Sequence, residues 1–472
     1  MNHINYLVDP GYLDAKSIFR LINKYGESVR LIIERNRVND YCTENFAHPP
    51  LIYPDFRDDL CDFSCTYFDL GIVEKILDDH QTFMLYDRTN RRMWETNSLK
   101  VARISLLINR SHSILVTYQI NSIIYTSTPH NIFTWVFAKV AECLGVEVIY
   151  FRNSMVPWRF HMLRGLKRKP ILINLTYDKF EKKDKEMQET KLFQEFSQKK
   201  HFLSLQAMPQ YEKERFLLHK GRSLSIAAYI RANFRNPLSI INVIACKRRY
   251  DYLAMDFPNG RAYAVFFLHF QPERTTLPEG YGFAQQLIAL QAFRAALPQC
   301  VKLLVKEHPS TFRNVCSWRE RLPWFYDLIA GMGGTELTKM ENNTYKLIDD
   351  ATVVATITGS VAIESLLRGT PAIYFGLGGY HGVDHPFLHH YDNQDALCSF
   401  LEKLDNTDCG KDKENLSMLF DGVRANTIDG LNSDIQCVND VEKSRQSLRT
   451  LALLRGMELI LDRKLPRHVN RS

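Results

Sequence analysis

No stretch of the 472-residue chain runs to 18 consecutive apolar residues, so nothing in it has the length and hydropathy of a membrane-spanning helix. The first ten residues carry no basic cluster and no small-residue cleavage site, so no secretory leader is expected and the chain is expected in the cytoplasm. Charge of one sign is scarce as well. Sixty Lys and Arg against 53 Asp and Glu leave +7 on the whole chain, too diffuse for a nucleic-acid footprint but compatible with one anionic small-molecule site. The ten cysteines include no Cys-x-x-Cys pair, the nearest two being Cys61 and Cys65, so a zinc ribbon is unsupported and buried free thiols are expected. A Gly-x-Ser-x-Gly nucleophile elbow and an Asp-x-Asp metal motif at a strand end are also missing. What is there is ordinary globular material. With 45% hydrophobic residues the chain can offset its ordering entropy, which excludes disorder as the main state.

At roughly 150 residues per domain the length suggests about three units, or two large ones with a tail. In the first part, residues 5–8, 29–33, 122–126 and 146–151 read as strands. Residues 13–24 and 131–144 read as helices, the second stopped by Gly145. Strand, helix and strand at this spacing predict parallel βαβ crossovers. Residues 177–222 change character, with Lys and Glu interrupted by Phe180, Met187, Phe193 and Phe196, and read as a charged helical insert with a solvated face. A second strand–helix series follows: strands at 264–268, 301–306, 352–357 and 372–375, helices at 283–296 and 361–368, and a polar helical stretch between 306 and 352. Leu448, Leu451, Leu453, Leu454, Met457, Ile460 and Leu461 then mark a C-terminal amphipathic helix over 441–461, with a basic tail after it. The expected division is 1–176, 177–222, 223–415 and 416–472.

Ligands of open α/β sheets gather at the carboxyl ends of the strands, so the residues following each strand carry the chemistry. In the second series these are His269 to Gly280, with Gln271 and Glu273; Lys306-Glu307-His308-Pro309; Thr358-Gly359-Ser360 opening a helix that carries Glu364; and a glycine-rich run from Phe375. Hydroxyl, glycine and hydroxyl at a helix start present amide donors and partial positive charge to an anion, the competing reading being N-capping by Ser360. His308, held by Pro309 at a strand end, can donate to a phosphate oxygen or move a proton, although a loop histidine is more often structural. His381, His385, His389 and His390 have ligand-like spacing, but Gly382 and Pro386 interrupt any helix that would align them for a metal. Gly331-Met-Gly-Gly334 reads as a turn. In the first series Asp9-Pro10-Gly11 and Thr128-Pro129-His130 follow strands, and Asp9 or His130 could serve as a general base; Asp69-Leu70-Gly71 is a weaker candidate.

Three ordered segments carry a resemblance: Phe267-Leu-His-Phe-Gln-Pro-Glu-Arg-Thr-Thr-Leu-Pro-Glu-Gly280, Leu304-Val-Lys-Glu-His-Pro309, and Thr356-Ile-Thr-Gly-Ser-Val-Ala-Ile-Glu-Ser-Leu-Leu-Arg-Gly-Thr-Pro-Ala-Ile-Tyr-Phe-Gly376. Together they resemble bacterial capsular polysaccharide biosynthesis proteins, which are glycosyltransferase-like and of GT-B type. The resemblance implies an α/β fold of two Rossmann-like doubly wound domains facing a cleft, and transfer of a sugar from a nucleotide-activated donor, a CMP-sugar foremost, to a hydroxyl of a glycan or lipid-linked glycan. It implies that His308 contacts the donor phosphate and takes part in catalysis. Gln271, Glu273, Lys306, Thr358, Gly359, Ser360 and Glu364 would then line the nucleotide-sugar site, Glu364 reaching a ribose hydroxyl. Relatives using CMP-activated acidic sugars carry an acidic base before a glycine in the first domain; here only Asp9-Pro10-Gly11 and Asp69-Leu70-Gly71 offer that pattern, and His130 is the other catalytic candidate. No metal or other cofactor is expected, and no nucleic acid. A peripheral contact with the inner membrane or a capsule assembly complex is the further partner considered.

Other readings share this architecture. A nucleotide-sugar 2-epimerase would act on the donor alone, and a polyol-phosphate transferase would use a CDP-linked donor. A catalytically inactive scaffold of a capsule assembly complex would have no reason to bind a nucleotide.

Overall fold

The computed structural model describes residues 5–11, 13, 15–26, 28–34, 50–54, 69–89, 95–154, 159–167, 170–173, 237–256, 262–312, 321–379, 381–405, 418–419, 421–423, 425–429 and 441–464. The charged insert expected at 177–222 and the basic tail after 464 lie outside them. The chain divides into two compact units: Met1–Thr190 with Gly379–Val383 and Asp421–Ser472, and Lys191–Gly378 with Asp384–Phe420.

The first unit opens with β1 (Asn5–Asp9), α1 (Ala15–Tyr25), β2 (Val29–Ile33) and β3 (Leu51–Ile52). Three helices follow, α2 (Leu70–Leu77), α3 (His80–Thr89) and α4 (Asn97–Thr117), then β4 (Ile120–Tyr125), α5 (Ile132–Cys143), β5 (Glu147–Asn153), β6 (Arg159–Arg164) and β7 (Ile171–Leu172). The second unit contains α6 (Pro237–Leu253), β8 (Ala254–Met255), β9 (Tyr263–Phe267), α7 (Gln286–Ala296), β10 (Lys302–Lys306), α8 (Pro323–Ala330), β11 (Thr335–Thr338) and α9 (Thr344–Asp349). It continues through β12 (Val354–Thr356), α10 (Val361–Leu367), β13 (Ala372–Tyr374), β14 (Leu388–His390) and α11 (Gln394–Asp405); β15 (Ile428–Asp429) and α12 (Val441–Lys464) then belong to the first unit again.

The first sheet has the order β15-β6-β5-β4-β1-β2-β3, with β7 paired to β6. Its β3, β2, β1, β4 and β5 run parallel, while β6, β7 and β15 add an antiparallel margin that the sequence pattern had not suggested. The second sheet, β14-β13-β12-β9-β10-β11-β8, is parallel throughout. Its central strands read Tyr-Ala-Val-Phe-Phe and Lys-Leu-Leu-Val-Lys, the near-continuous apolar runs of strands covered on both faces. The chain is therefore an α/β protein of two doubly wound units. Among the described residues no helix is long and apolar enough to cross a membrane.

Local chemistry explains the elements. Asn131 and Thr134 cap α5 reciprocally, Asn131 Oδ1 accepting the Thr134 amide at 2.9 Å. The apolar run at 239–246, short enough for a strand, instead forms part of α6, because Ile240, Val243, Cys246 and Tyr250 recur at helical spacing and all are buried. The polar stretch expected to be helical between 306 and 352 holds α8 and α9 and, between them, β11, in which Thr335, Leu337 and Thr338 are buried. Helix α12 lays Ala452, Leu453, Leu454, Met457, Ile460 and Leu461 into the same core as Ile18 and Leu21 of α1, Phe151 of β5 and Met162 of β6.

Candidate functional site

In each sheet one pair of neighbouring strands sends its connections in opposite directions, and such switch points open a crevice at the strands' carboxyl ends. The pair is β1 and β4 in the first unit, β9 and β12 in the second.

At the first switch point a cavity of about 180 Å³ is lined by Asp9, Pro10 and Gly11 after β1, Ile33 and Glu34 at the end of β2, and Tyr125 and Ser127 to Asn131 after β4, with Thr134 of α5. Asp9 Oδ1 accepts the Gly11 amide at 3.0 Å and Oδ2 accepts the Tyr53 hydroxyl at 3.0 Å. Gly11 turns at φ +24°, and a Cβ there would lie 2.1 Å from Thr126 Oγ1, so the turn needs glycine. Burial first, and then the charge of Asp9, hold the Tyr53 and Tyr125 phenols well above their ordinary pKa, hence neutral. Glu34 Oε1 accepts the Asn131 Nδ2 hydrogen at 2.6 Å, joining β2 to the capped start of α5. His130 Nδ1 lies 2.9 Å from the Thr128 carbonyl oxygen. A carbonyl only accepts, so Nδ1 carries a proton, and in the neutral ring Nε2 is the acceptor nitrogen.

The structure therefore brings Asp9 and His130 into one cavity. Asp69 is not among its lining; it caps α2, accepting the Ile72 amide at 3.1 Å. Glu34 and Tyr53 were missed in the sequence, although each directly follows a strand. The strand before Glu34 was read at its true end, and only its following residue was passed over; the strand before Tyr53 is two residues long, too short to show a periodicity.

In the second unit Lys306, Phe267, Thr356, Tyr374 and His390 form one row across β10, β9, β12, β13 and β14. Strands β10 and β12 flank β9, so the ends bearing His308 and Thr358 are two strand intervals apart, ~10 Å. His269 sits between them. Its Nε2 accepts the Thr358 amide at 3.1 Å and lies 2.9 Å from Thr356 Oγ1, and Gly359 packs beside the ring. Thr358 Oγ1 donates to the Thr275 carbonyl at 2.7 Å. Gly376 closes the crevice floor: a Cβ there would be 2.7 Å from the Glu279 carbonyl oxygen and 3.0 Å from Gly280 Cα.

The expected site residues divide by what their polar atoms do. Gln271 is buried, its Nε2 donating to Ala284 O at 2.7 Å and its Oε1 accepting from Gln286 and Arg321. Lys306 is buried too, donating to Asn342 O and, at 3.1 Å, to Thr344 Oγ1; burial lowers its pKa to about 8 against a weaker opposing pull from Glu341. Glu273, raised by burial, accepts from Thr275 at 3.1 Å. These three, with Thr358, shape the strand ends from within. Ser360 is exposed and donates to Glu364 Oε1 at 2.9 Å. His308 is half-buried; its Nδ1 accepts the Ser310 amide at 3.2 Å, which puts the neutral ring's proton on Nε2. Glu307, passed over in the sequence, is a buried carboxylate paired with the equally buried Arg321.

Among the described residues no three His, Cys, Asp or Glu side chains gather to hold a metal ion. His390 stacks on Tyr374, His389 on Phe400, and His385 Nδ1 accepts the Phe387 amide.

Fold and crevices define an α/β protein of two doubly wound units, each with a polar pocket or strand-end cluster at its switch point. No known family matches the chain, nor does any curated protein. Among solved structures it is similar to Methanocaldococcus jannaschii UDP-GlcNAc 2-epimerase in complex with UDP-GlcNAc and UDP (12% identity, 86% of this chain and 94% of that one, TM-score 0.22). It is also similar to the β-Kdo 2,7 transferase of Thermosulfurimonas dismutans KpsC (12%, 71% and 87%, 0.26) and to Neisseria meningitidis UDP-GlcNAc 2-epimerase (11%, 97% and 99%, 0.25). At those identities and TM-scores the superpositions assign neither an activity nor a residue to this chain.

Proposed function

We propose that the protein is a glycosyltransferase of capsular or surface polysaccharide biosynthesis, moving a sugar from a nucleotide-activated donor, a CMP-sugar foremost, to a glycan hydroxyl. The observation that carries this reading is the opposite state of two strand-end histidines. His308 has its neutral-ring proton on Nε2 and is a donor suited to phosphate; His130 has its proton on Nδ1 and keeps Nε2 as an acceptor.

The second unit would hold the donor nucleotide, His308 donating to its phosphate and Ser360 with Glu364 supplying hydroxyl and carboxylate contacts. Gln271, Glu273, Lys306, Thr358 and Gly359 would keep the strand ends in shape around it. The reaction would be a direct displacement. An acceptor hydroxyl loses its proton to a base, its oxygen bonds to the anomeric carbon, and the phosphate leaves with the electron pair of the broken bond. Hydrogen bonds to that phosphate strengthen as its charge develops. The resemblance of the three strand-end segments to capsule enzymes supports the biological setting, a contact with the inner membrane or a capsule assembly complex included.

A thermal-shift screen across CMP, CDP, UDP, GDP and TDP tests the reading, because a ligand that binds only the native state raises its apparent stability. Stabilisation by one nucleotide and loss of that effect in His308→Ala are expected. Conversion of a nucleotide sugar to its epimer with no acceptor present would replace the transferase with an epimerase. The absence of any nucleotide effect would leave only the scaffold.

A further inference from the structure

Thr358-Gly359-Ser360 follows β12 as a hydroxyl, a glycine and a hydroxyl, and the first two are fitted to the buried ring of His269. We infer that His269 is the positioning residue of the proposed donor site. Its Nε2 holds the turn that carries Ser360, and its main chain ties that turn to the strand end that carries His308. This rests on the transferase reading and deepens it.

The ring acts through one nitrogen. A backbone amide only donates, so the Thr358 N–H, 3.1 Å away, requires Nε2 to be an acceptor. The Thr356 hydroxyl, 2.9 Å from the same nitrogen, rotates to suit it. At Gly359 a Cβ would lie 3.3 Å from both Cε1 and Nε2 of the ring and 2.8 Å from Thr356 Oγ1. The turn needs glycine there because it is pressed against the imidazole. Thr358 is fixed on its other side, where Oγ1 donates to the Thr275 carbonyl at 2.7 Å. Ser360 is thereby delivered, exposed, to the start of α10, where it donates to Glu364 Oε1 at 2.9 Å.

A ring can position a turn only if its own backbone is fixed. Gln286, fully buried at the start of α7, accepts the His269 amide on Oε1 at 2.7 Å and donates from Nε2 to the His269 carbonyl at 3.0 Å. Arg321 Nη2 donates to the same carbonyl at 3.1 Å, while its Nε binds Glu307, whose Oε1 accepts the His308 amide at 2.8 Å. His269 is therefore the joint between the two strand ends. Its ring holds one side of the proposed donor site, and its carbonyl shares a guanidinium with the other. Replacing the side chain cuts the first connection and leaves the second in place.

The geometry selects the substitution that should work. Glutamine has a carbonyl oxygen as many bonds from Cβ as Nε2 is, whereas asparagine stops one bond short. His269→Gln should therefore replace the ring acceptor, and His269→Asn should not. Two measurements on the full chain test this. The first needs no nucleotide: hydrogen exchange of the Thr358 amide, followed by NMR, should be slow in the wild type and in His269→Gln, and about tenfold or more faster in His269→Asn. The second is calorimetry with the nucleotide found by thermal shift. Affinity should fall roughly 5- to 10-fold in His269→Asn and stay within about twofold of the wild type in His269→Gln. Ser360→Ala should add little to His269→Asn, because the turn no longer holds that hydroxyl in place. Gly359→Ala, which pushes the turn off an intact ring, should reproduce the His269→Asn behaviour in both measurements. A merely structural role would lower affinity alike in the Gln and Asn variants and add the full Ser360 loss. Either result overturns the inference, as does unchanged exchange in His269→Asn or Gly359→Ala. Should no nucleotide bind at all, the transferase reading falls, and exchange at Thr358 still decides whether His269 holds the turn.

Discussion

Arg321 donates its Nε hydrogen to Glu307 Oε2 at 2.8 Å with both side chains almost fully out of solvent, 1% and 0% exposed. The same guanidinium reaches Gln271 Oε1 at 2.7 Å and the His269 carbonyl at 3.1 Å, so it joins the loops that follow β9 and β10. The carboxylate is saturated in turn. Tyr326 donates to Oε2 at 2.9 Å, and Oε1 accepts the His308 amide at 2.8 Å and the Thr311 hydroxyl at 3.2 Å. One buried charge pair thus fixes the backbone from which His308 projects.

Removing both members of that pair should cost less than the two single losses added together. Arg321→Met leaves an uncompensated buried carboxylate and should cost on the order of 3–5 kcal/mol in urea unfolding. Arg321→Lys should recover little, because an ammonium cannot span Glu307, Gln271 and His269 O in the planar fork. The double variant Arg321→Met with Glu307→Met should be more stable than the sum of the single losses by about 1–3 kcal/mol. Simple additivity would mean that the two charges do not depend on each other.

Glu307 also marks the boundary of what the sequence discloses. The strand ends were legible because Tyr-Ala-Val-Phe-Phe and Lys-Leu-Leu-Val-Lys admit little but a buried parallel strand, and the candidates fell just beyond them. Which side chain turns inward was not legible. In Lys306-Glu307-His308 the lysine and glutamate are both buried and the histidine is half-exposed, and that depends on Arg321, fourteen residues beyond Glu307. Asp9 and His130 are 121 positions apart in sequence but meet because β1 and β4 are neighbours, a pairing that no local pattern states. Of the antiparallel margin, β15 was hidden for the same reason: it joins β6 only after the chain has completed the second unit.

Within the proposed donor site His308 should matter most. If His308 donates to the nucleotide phosphate as proposed, His308→Ala removes a hydrogen bond worth about 1.5–3 kcal/mol, so affinity for the nucleotide found by screening should fall roughly 10- to 100-fold. Ser360→Ala should weaken binding as well, since its hydroxyl also orients Glu364 at 2.9 Å. Calorimetry on both variants reads this directly. Unchanged affinity in a folded His308→Ala protein would remove the donor site from this strand end.

Lys306 should leave a signature in alkaline stability. Burial lowers its pKa in the fold to about 8 from an ordinary 10.5. Between those values the unfolded chain binds more protons than the native one, so stability from this group rises as pH rises from 8 toward 10.5. The shift amounts to about 3 kcal/mol at full effect. Urea unfolding at pH 7.5 and 9.5 should therefore show a rise in the wild type relative to Lys306→Met. Parallel behaviour of the two proteins would mean that Lys306 is not desolvated.

The last expectation concerns α12, which completes the first unit from the far end of the sequence. Met457 is fully buried among Phe151, Met162 and Ile428, and at Gly456 a Cβ would come within 2.4 Å of the Phe151 ring. Met457→Ala should therefore cost about 2–5 kcal/mol, transfer and cavity terms together. Arg20 and Glu458 also link α1 to α12 at 2.9 Å, but the arginine is 60% exposed and water screens the pair. Arg20→Ala should change stability by about 1 kcal/mol at most. Hydrogen exchange of peptides covering β5 and β6 separates the two contributions, because both strands contribute residues to the core that α12 covers. Strong loss of protection in Met457→Ala and little in Arg20→Ala is expected. The reverse order would mean that surface charge rather than apolar burial holds the returning helix on the first sheet.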